Sequence, residues 1–167
     1  SLLVALSILW STLRTGVSPM PSSYIARTTL LTRLRLTRPG PILELGAGWG
    51  SLAIPIAQQF NDRKVIAYEL SPVPAAICWL RARRQGLSNL EVRCKNFARA
   101  DLTGAALMVT FLGPGAMRKL ARRLERGPVH STLLSHTFHL PGHRERARWS
   151  CNDAHHSTMY RYEIDRD

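Results

Sequence analysis

Lysine is almost missing from this chain: of its 23 basic residues all but Lys64, Lys95 and Lys119 are arginine, and only 11 acidic residues stand against them. The formal charge of +12 excludes a neutral surface. It points either to an acidic partner, such as nucleic acid or anionic lipid, or to a coding composition that favours arginine. Cysteine is sparse too. Cys78, Cys94 and Cys151 are odd in number and widely spaced, with no C-x-x-C pair. That pattern excludes a disulfide framework and a cysteine zinc site and suits a reducing compartment, so the expected location is cytoplasmic. His155 and His156 follow Cys151 at a spacing that matches no common zinc pattern, so no metal is expected. Long apolar runs are also absent. The opening stretch SLLVALSILWSTLR is apolar for about a dozen residues, short of the roughly 20 that span a bilayer, and it has neither a charged leader nor an A-x-A cleavage site. Neither a transmembrane span nor a signal peptide is expected. The chain begins with Ser1 and not Met, which means a removed initiator or a late start.

The chain does carry a clear alternation. PILELGAGWGSLA reads as a buried strand running into a glycine turn and then a helix. From there the patterns predict strands at 42–46, 65–70, 90–94, 107–112 and 132–135, with helices at 51–60, 72–85 and 116–126. That rhythm means a mostly parallel α/β sheet with helices on both faces. Ser71 and Pro72 open one helix, which Gly86 closes and whose apolar face is expected at Val73, Ala76, Ile77 and Leu80. The next buries Met117, Leu120, Ala121 and Leu124, turns its arginines elsewhere, and ends at Gly127. Pro55 implies that the first of these helices is short or kinked. ARWSCND and STMYRYEI read as an antiparallel hairpin closing one edge of the sheet. Ahead of the core, Ser22 or Ser23 is placed to cap a further helix. One main domain covers 41–167, with an apolar helix and connector over 1–40.

Glycine-rich corners of this kind bind nucleotides, and the residues choose between two cofactor types. A dinucleotide turn is G-x-G-x-x-G, but its third glycine would fall at Ser51. Here the spacing is G-x-G-x-G at Gly46, Gly48 and Gly50, with Glu44 two residues ahead. Beside that carboxylate a pyrophosphate is repelled, whereas an ammonium or sulfonium is accepted. Glu69 ends the second strand 19 residues past Gly50, where a carboxylate can take both ribose hydroxyls. Asn96, which follows the third strand, can pair through its amide with a base edge beside the Phe97 ring or can cap a turn.

These positions resemble the first motif of class I S-adenosylmethionine-dependent methyltransferases. The further pieces GVSPMPSS, YELSP, NFARADL, VTFLGPGAMRKL and SHTFHLPG are similar to the protein-lysine methyltransferases of the ATP synthase c-subunit and the adenine nucleotide translocase, and to their prokaryotic relatives. The resemblance covers roughly residues 16–142. It implies a Rossmann-like methyltransferase fold with a seven-stranded sheet, and a cofactor, S-adenosyl-L-methionine, held by Glu44, Gly46, Ala47, Gly48, Gly50, Glu69, Leu70, Asn96 and Phe97. It also implies methyl transfer to a lysine ε-amine on a protein, membrane-embedded in some relatives, with peripheral contact to an anionic membrane. Two departures fall on the substrate side: Ala106 stands where members often carry an acid, and Phe111 where many have tyrosine. No residue declares itself catalytic. Phe111, His136 and His139 are the candidates, the histidines as substrate-orienting or proton-relaying groups or as local hydrogen-bonding partners. Two rivals stand beside this reading. One is a nucleic-acid methyltransferase, supported by the charge but lacking an N/D-P-P-Y/F motif; the other is a non-catalytic binding module, against which the intact glycine turn argues.

Overall fold

A computed structural model describes residues 24–153 and 156–167; the apolar stretch 1–14, the GVSPMPSS segment, the Ser22 or Ser23 cap and His155 lie outside the described residues. Strand β1 (Ile42–Leu45) is central, flanked in parallel by β2 (Val65–Glu69) and β4 (Leu107–Thr110). β3 (Leu90–Cys94) lies outside β2 and β5 (Val129–His136) outside β4, again parallel. The hairpin strands β6 (Ala147–Ser150) and β7 (Thr158–Arg166) complete seven strands in the order β3-β2-β1-β4-β5-β7-β6. The hairpin is therefore turned inward: its second strand pairs antiparallel with β5 from Val129↔Arg166 to His136↔Met159, and its first strand takes the edge. The longer strand wins the inner place because it satisfies the whole length of β5.

Strand alternation divides the core. Leu43 and Leu45 face one side with Tyr68 and Met108, where α4 (Pro114–Leu124) covers them with Met117, Leu120, Ala121 and Leu124, all four buried as their spacing predicts. Ile42, Val65, Leu107 and Val109 face the other side, beneath Ala26 and Leu30 of α1 (Tyr24–Arg33), the following Leu34, and Ile56 and Ala57 of α2 (Ala53–Gln59). Each fully buried large aliphatic side chain stabilises this arrangement by about 1.5–3 kcal/mol. α2 is short, and its start at Ala53 puts Pro55 in the first turn, where a missing N–H costs little.

Helix α3 (Pro72–Arg84) departs from its expected face. Pro74, Ala75, Cys78 and Ala82 are buried, whereas Ala76 and Leu80 are exposed and Val73 and Ile77 only half-buried. The reason is distance. Cys78 packs into Ala47, Ala53 and Ala67, and a Cβ on Gly50 would lie 2.6 Å from its Sγ. A contact this close admits small side chains and rejects the branched ones. At the C-terminus, Gly86 adopts φ +66° and its N–H bonds to Arg83 O, while Leu87 N–H bonds to Ala82 O, a Schellman ending. At the N-terminus Ser71 makes no side-chain cap. Gly127 lies beyond the end of α4 without a left-handed φ, so the helix stops without that device.

Candidate functional site

At the carboxyl ends of β1 and β2 the chain makes the turn that the glycine spacing predicts. Gly46 and Ala47 both donate to Tyr68 O, which ties the first half of the turn to β2. Gly46, Gly48 and Gly50 all have positive φ. Their steric roles differ. A Cβ on Gly46 would press on Leu112 and one on Gly50 on Cys78, but one on Gly48 meets nothing within 4 Å. The space over Gly48 is open, so without a side chain there the backbone of the turn is accessible to a ligand.

Glu69 organises this corner. Its Oε2 accepts from Gly48 N–H at 2.8 Å and its Oε1 from Ser71 N–H at 2.8 Å, so one carboxylate clips the glycine turn to the start of α3. A carboxylate offers about four lone-pair positions, which leaves acceptor capacity for two ribose hydroxyls.

Glu44 behaves otherwise than expected. It is 3 % exposed, sealed behind the turn, where it accepts from the backbone of Ala53 at the start of α2 and leaves Oε2 without a partner. Burial first, and then the charge of Glu69, push its carboxyl well above the usual range. It caps a helix that has no side-chain cap of its own and does not face the cleft.

The cleft itself is bounded by Gly46, Glu69, Leu70, Asn96 and Phe97 among the expected residues. Ala47, Gly48 and Gly50 belong to the turn beside it. Tyr68, Lys95, Leu112 and Ala116, which the motif did not name, complete the lining. Asn96 takes the turn-capping role: its Oδ1 accepts from Ala98 N–H at 2.9 Å at the start of the 3-10 turn Phe97–Arg99. A larger concavity of about 620 Å³ lies at the opposite edge, between Lys64, Trp79 and Asn89, whereas the cleft holds about 60 Å³. Chemistry and not size selects the site, because among the described residues the glycine turn clipped by a carboxylate lies at the carboxyl edge. The chemistry of a nucleoside with a charged amino-acid tail suits these groups: Glu69 as acceptor for the ribose hydroxyls, Phe97 and Leu70 as apolar contacts for the base, the turn for the tail.

Beyond β4 the three candidate residues separate. Phe111 and His136 come together, ring centroids 4.8 Å apart. His136 is buried and bonds through Nε2 to Ser157 Oγ at 2.9 Å, and burial lowers its pKa. His139 is exposed on the turn that follows β5. Sequence reasoning missed Ser157 and Asp153, whose approach to His136 depends on β7 lying beside β5.

Residues 44–147 match the family model described as the ANTKMT methyltransferase domain. Among curated proteins the chain is similar to Methyltransferase str2 from Strobilurus tenacellus, 34% identical over 85 residues. That match takes in 51% of this chain and 31% of the relative, so the chain spans about a third of that protein's length. Among solved structures it is similar to an RNA methyltransferase from Salinibacter ruber in complex with S-adenosyl-L-homocysteine, with TM-score 0.75 and 20% identity over 89% of this chain and 95% of that one. It is also similar to a SAM-dependent methyltransferase from Aquifex aeolicus, with TM-score 0.65 and 15% identity over 83% of this chain and 89% of that one. At these identities the likeness to both structures is one of fold.

Proposed function

The chain belongs to the ANTKMT methyltransferase family, of class I S-adenosylmethionine-dependent methyltransferases, and from that premise we propose that it methylates a lysine ε-amine on a protein. The observation that carries this reading is the family match running from Glu44, at the glycine turn, through His136 and Thr137 at the end of β5. S-adenosylmethionine supplies an electrophilic methyl group on a sulfonium.

The chain's own part is placement and desolvation. Glu69 and the Gly46–Gly50 turn hold the cofactor's nucleoside and tail, and the segment after β4, with Phe111 and Leu112, walls the side from which a nucleophile enters. A lysine with a pKa of about 10.4 must lose a proton at a cost of roughly 4.6 kcal/mol at pH 7, and an apolar wall lowers that cost by disfavouring the ammonium.

The proposed substrate is a membrane-associated protein, methylated at the cytoplasmic face. Arg118, Lys119 and Arg122 on α4, and Arg126 just past its end, are exposed on one side of the sheet. Together they suit peripheral contact with anionic lipid. No helix among the described residues is long and apolar enough to cross a membrane. The same basic surface supports a second reading, a nucleic-acid substrate. One experiment separates them: labelled-methyl transfer into soluble and membrane fractions of the source cell, with protease and nuclease treatments and acid hydrolysis of the product. Methyl-lysine in a protease-sensitive, nuclease-resistant membrane band is the expected result; label removed by nuclease overturns the lysine reading.

A further inference from the structure

We infer that His136 takes the proton from the substrate amine, held in its accepting tautomer by a buried relay of Ser157 and Asp153. The inference rests on the amine-methylation reading above and names the residue that prepares the nucleophile.

The relay is built from one strand end and one hairpin loop. Asp153 is 6 % exposed, and its two oxygens are both engaged by Ser157: Oδ1 accepts the backbone N–H at 2.8 Å and Oδ2 the hydroxyl at 2.8 Å. The loop is closed around it, since Cys151 N–H bonds to Ser157 O and His156 N–H to Asp153 O. An ionised carboxylate only accepts, so the Ser157 hydroxyl proton is committed to Asp153, and the serine offers one lone pair to the Cys151 thiol and the other to its ring neighbour. That neighbour is His136 Nε2 at 2.9 Å, which must therefore carry the ring proton. Neutral imidazole has one N–H, so Nδ1 is left as the acceptor. Nδ1 makes no hydrogen bond among the described residues, and it is not one of the sealed unpartnered atoms there, which are Glu44 Oε2 and Ser71 Oγ.

Position joins this acceptor to the site. Ser135 and Thr110 are register partners, which sets His136 level with Phe111, and the two rings touch at 4.8 Å. The next residue, Leu112, lines the cofactor cleft. His136 thus touches the chain neighbour of a residue that lines the cleft. The backbone here is held in an unfavourable shape: Thr137, a β-branched residue, has φ +73°. It is fixed by Thr137 N–H to Thr158 O, Phe138 N–H to His136 O and Ser135 Oγ to Phe138 O. Strain that the surroundings over-determine is characteristic of residues aimed for function. Among the described residues, Asp153 is the charged group acting on His136. Cys151 is the titratable neighbour across Ser157, while Phe111 on the β4 side and Met159 opposite on β7 carry no charge.

The ammonium N–H bond breaks and its proton joins Nδ1, giving imidazolium. The freed nitrogen pair bonds the methyl carbon as the carbon–sulfur pair stays on sulfur, and the imidazolium returns its proton to solvent.

Two measurements on the full chain test this. Nitrogen-15 NMR of the histidines at pH 7 should show His136 neutral, with Nε2 protonated and Nδ1 bare. Ser157→Ala should release that preference. The second is His136→Gln, which keeps a donor for Ser157 but replaces the base with an amide oxygen. Its S-adenosylhomocysteine affinity should stay within twofold of wild type. Methyl transfer to the membrane fraction should fall about 100-fold at pH 7, the scale of general base catalysis, and the deficit should shrink as pH rises toward the pKa of the free amine. A protonated or Nδ1–H ring overturns the proposal, as does wild-type transfer by His136→Gln or a deficit constant with pH. If the wild-type chain labels no lysine, the functional reading fails by itself, and the NMR tautomer still decides the assignment of His136.

Discussion

Along the carboxyl edge of the sheet, the β1–β2 corner and the β5–β7 corner hold their polar groups by different means. At the first, backbone is the working material: Glu69 clips two N–H groups, and the glycines shape a surface that is empty over Gly48. At the second, side chains from positions 136, 153 and 157 lock one another in a buried chain, next to a strained Thr137. A backbone corner suits a cofactor bound through its common parts, because any side chain there would only obstruct. A side-chain corner suits proton handling, where a group must be tuned. The difference teaches that the chain builds one corner suited to binding and another suited to proton handling from different materials.

The sharpest break in the comparison lies within the glycine turn. Gly50→Val places a Cβ 2.6 Å from Cys78 Sγ at φ +81°, and should destabilise the fold by about 3–5 kcal/mol through overpacking and backbone strain. Gly48→Val meets no neighbour and bears only the strain of a branched residue at φ +53°, about 1–3 kcal/mol, so it should remain folded while losing cofactor affinity by about 100-fold or more, read by calorimetry against denaturation. Equal loss of stability in both would mean that Gly48 is structural and the space over it is not a site.

Why one corner was legible in the sequence and the other was not follows from distance along the chain. Glycine spacing, Pro72 and Pro114 at helix starts, and Gly86 past a helix end are local signals, and strands and helices fell within a few residues of where they pointed. The relay was not legible, because Ser157 reaches His136 only after β7 inserts beside β5, a choice made by strand pairing. Two further readings failed for packing reasons. On α3, hydrophobicity favoured Val73, Ile77 and Leu80, but close approach to Gly50 selected Ala75, Cys78 and Ala82. Glu44 was expected at the ligand and instead lies sealed under the turn, since its strand position faces α2.

Next in size is Glu69→Ala. It removes the clip on Gly48 and Ser71 together with the acceptors for ribose, and should weaken cofactor binding by about 1.5–3 kcal/mol, the scale of hydrogen bonds to a charged group. Asn96→Ala should cost less, since its oxygen is already spent on Ala98. Unchanged affinity in Glu69→Ala would remove the carboxylate from the site.

Glu44→Gln separates support from contact. The folded carboxyl has a raised pKa, so the native state binds the proton more tightly than the unfolded chain does. Its contribution therefore favours folding below the unfolded pKa and declines as pH climbs from there toward the folded pKa. The amide keeps an acceptor for Ala53 and carries no charge toward Glu69. Denaturation at pH 7 should show a gain of about 1 kcal/mol, with a flatter pH dependence above pH 5 and little change in cofactor affinity. A large loss of affinity would return Glu44 to direct contact.

The smallest expected effect tests whether the second corner is strained for a purpose. Thr137 holds φ +73° with a branched side chain, whereas asparagine enters that region readily. Thr137→Asn should therefore stabilise the fold by roughly 0.5–1 kcal/mol in urea denaturation. If the strained turn also aims His136, the same variant should transfer methyl groups several-fold more slowly, with its cofactor affinity intact, because the relaxed turn no longer fixes the ring against Phe111. A variant that is both more stable and fully active would show that the turn only joins β5 to the segment beyond it, and that the relay holds His136 in place without help from the backbone.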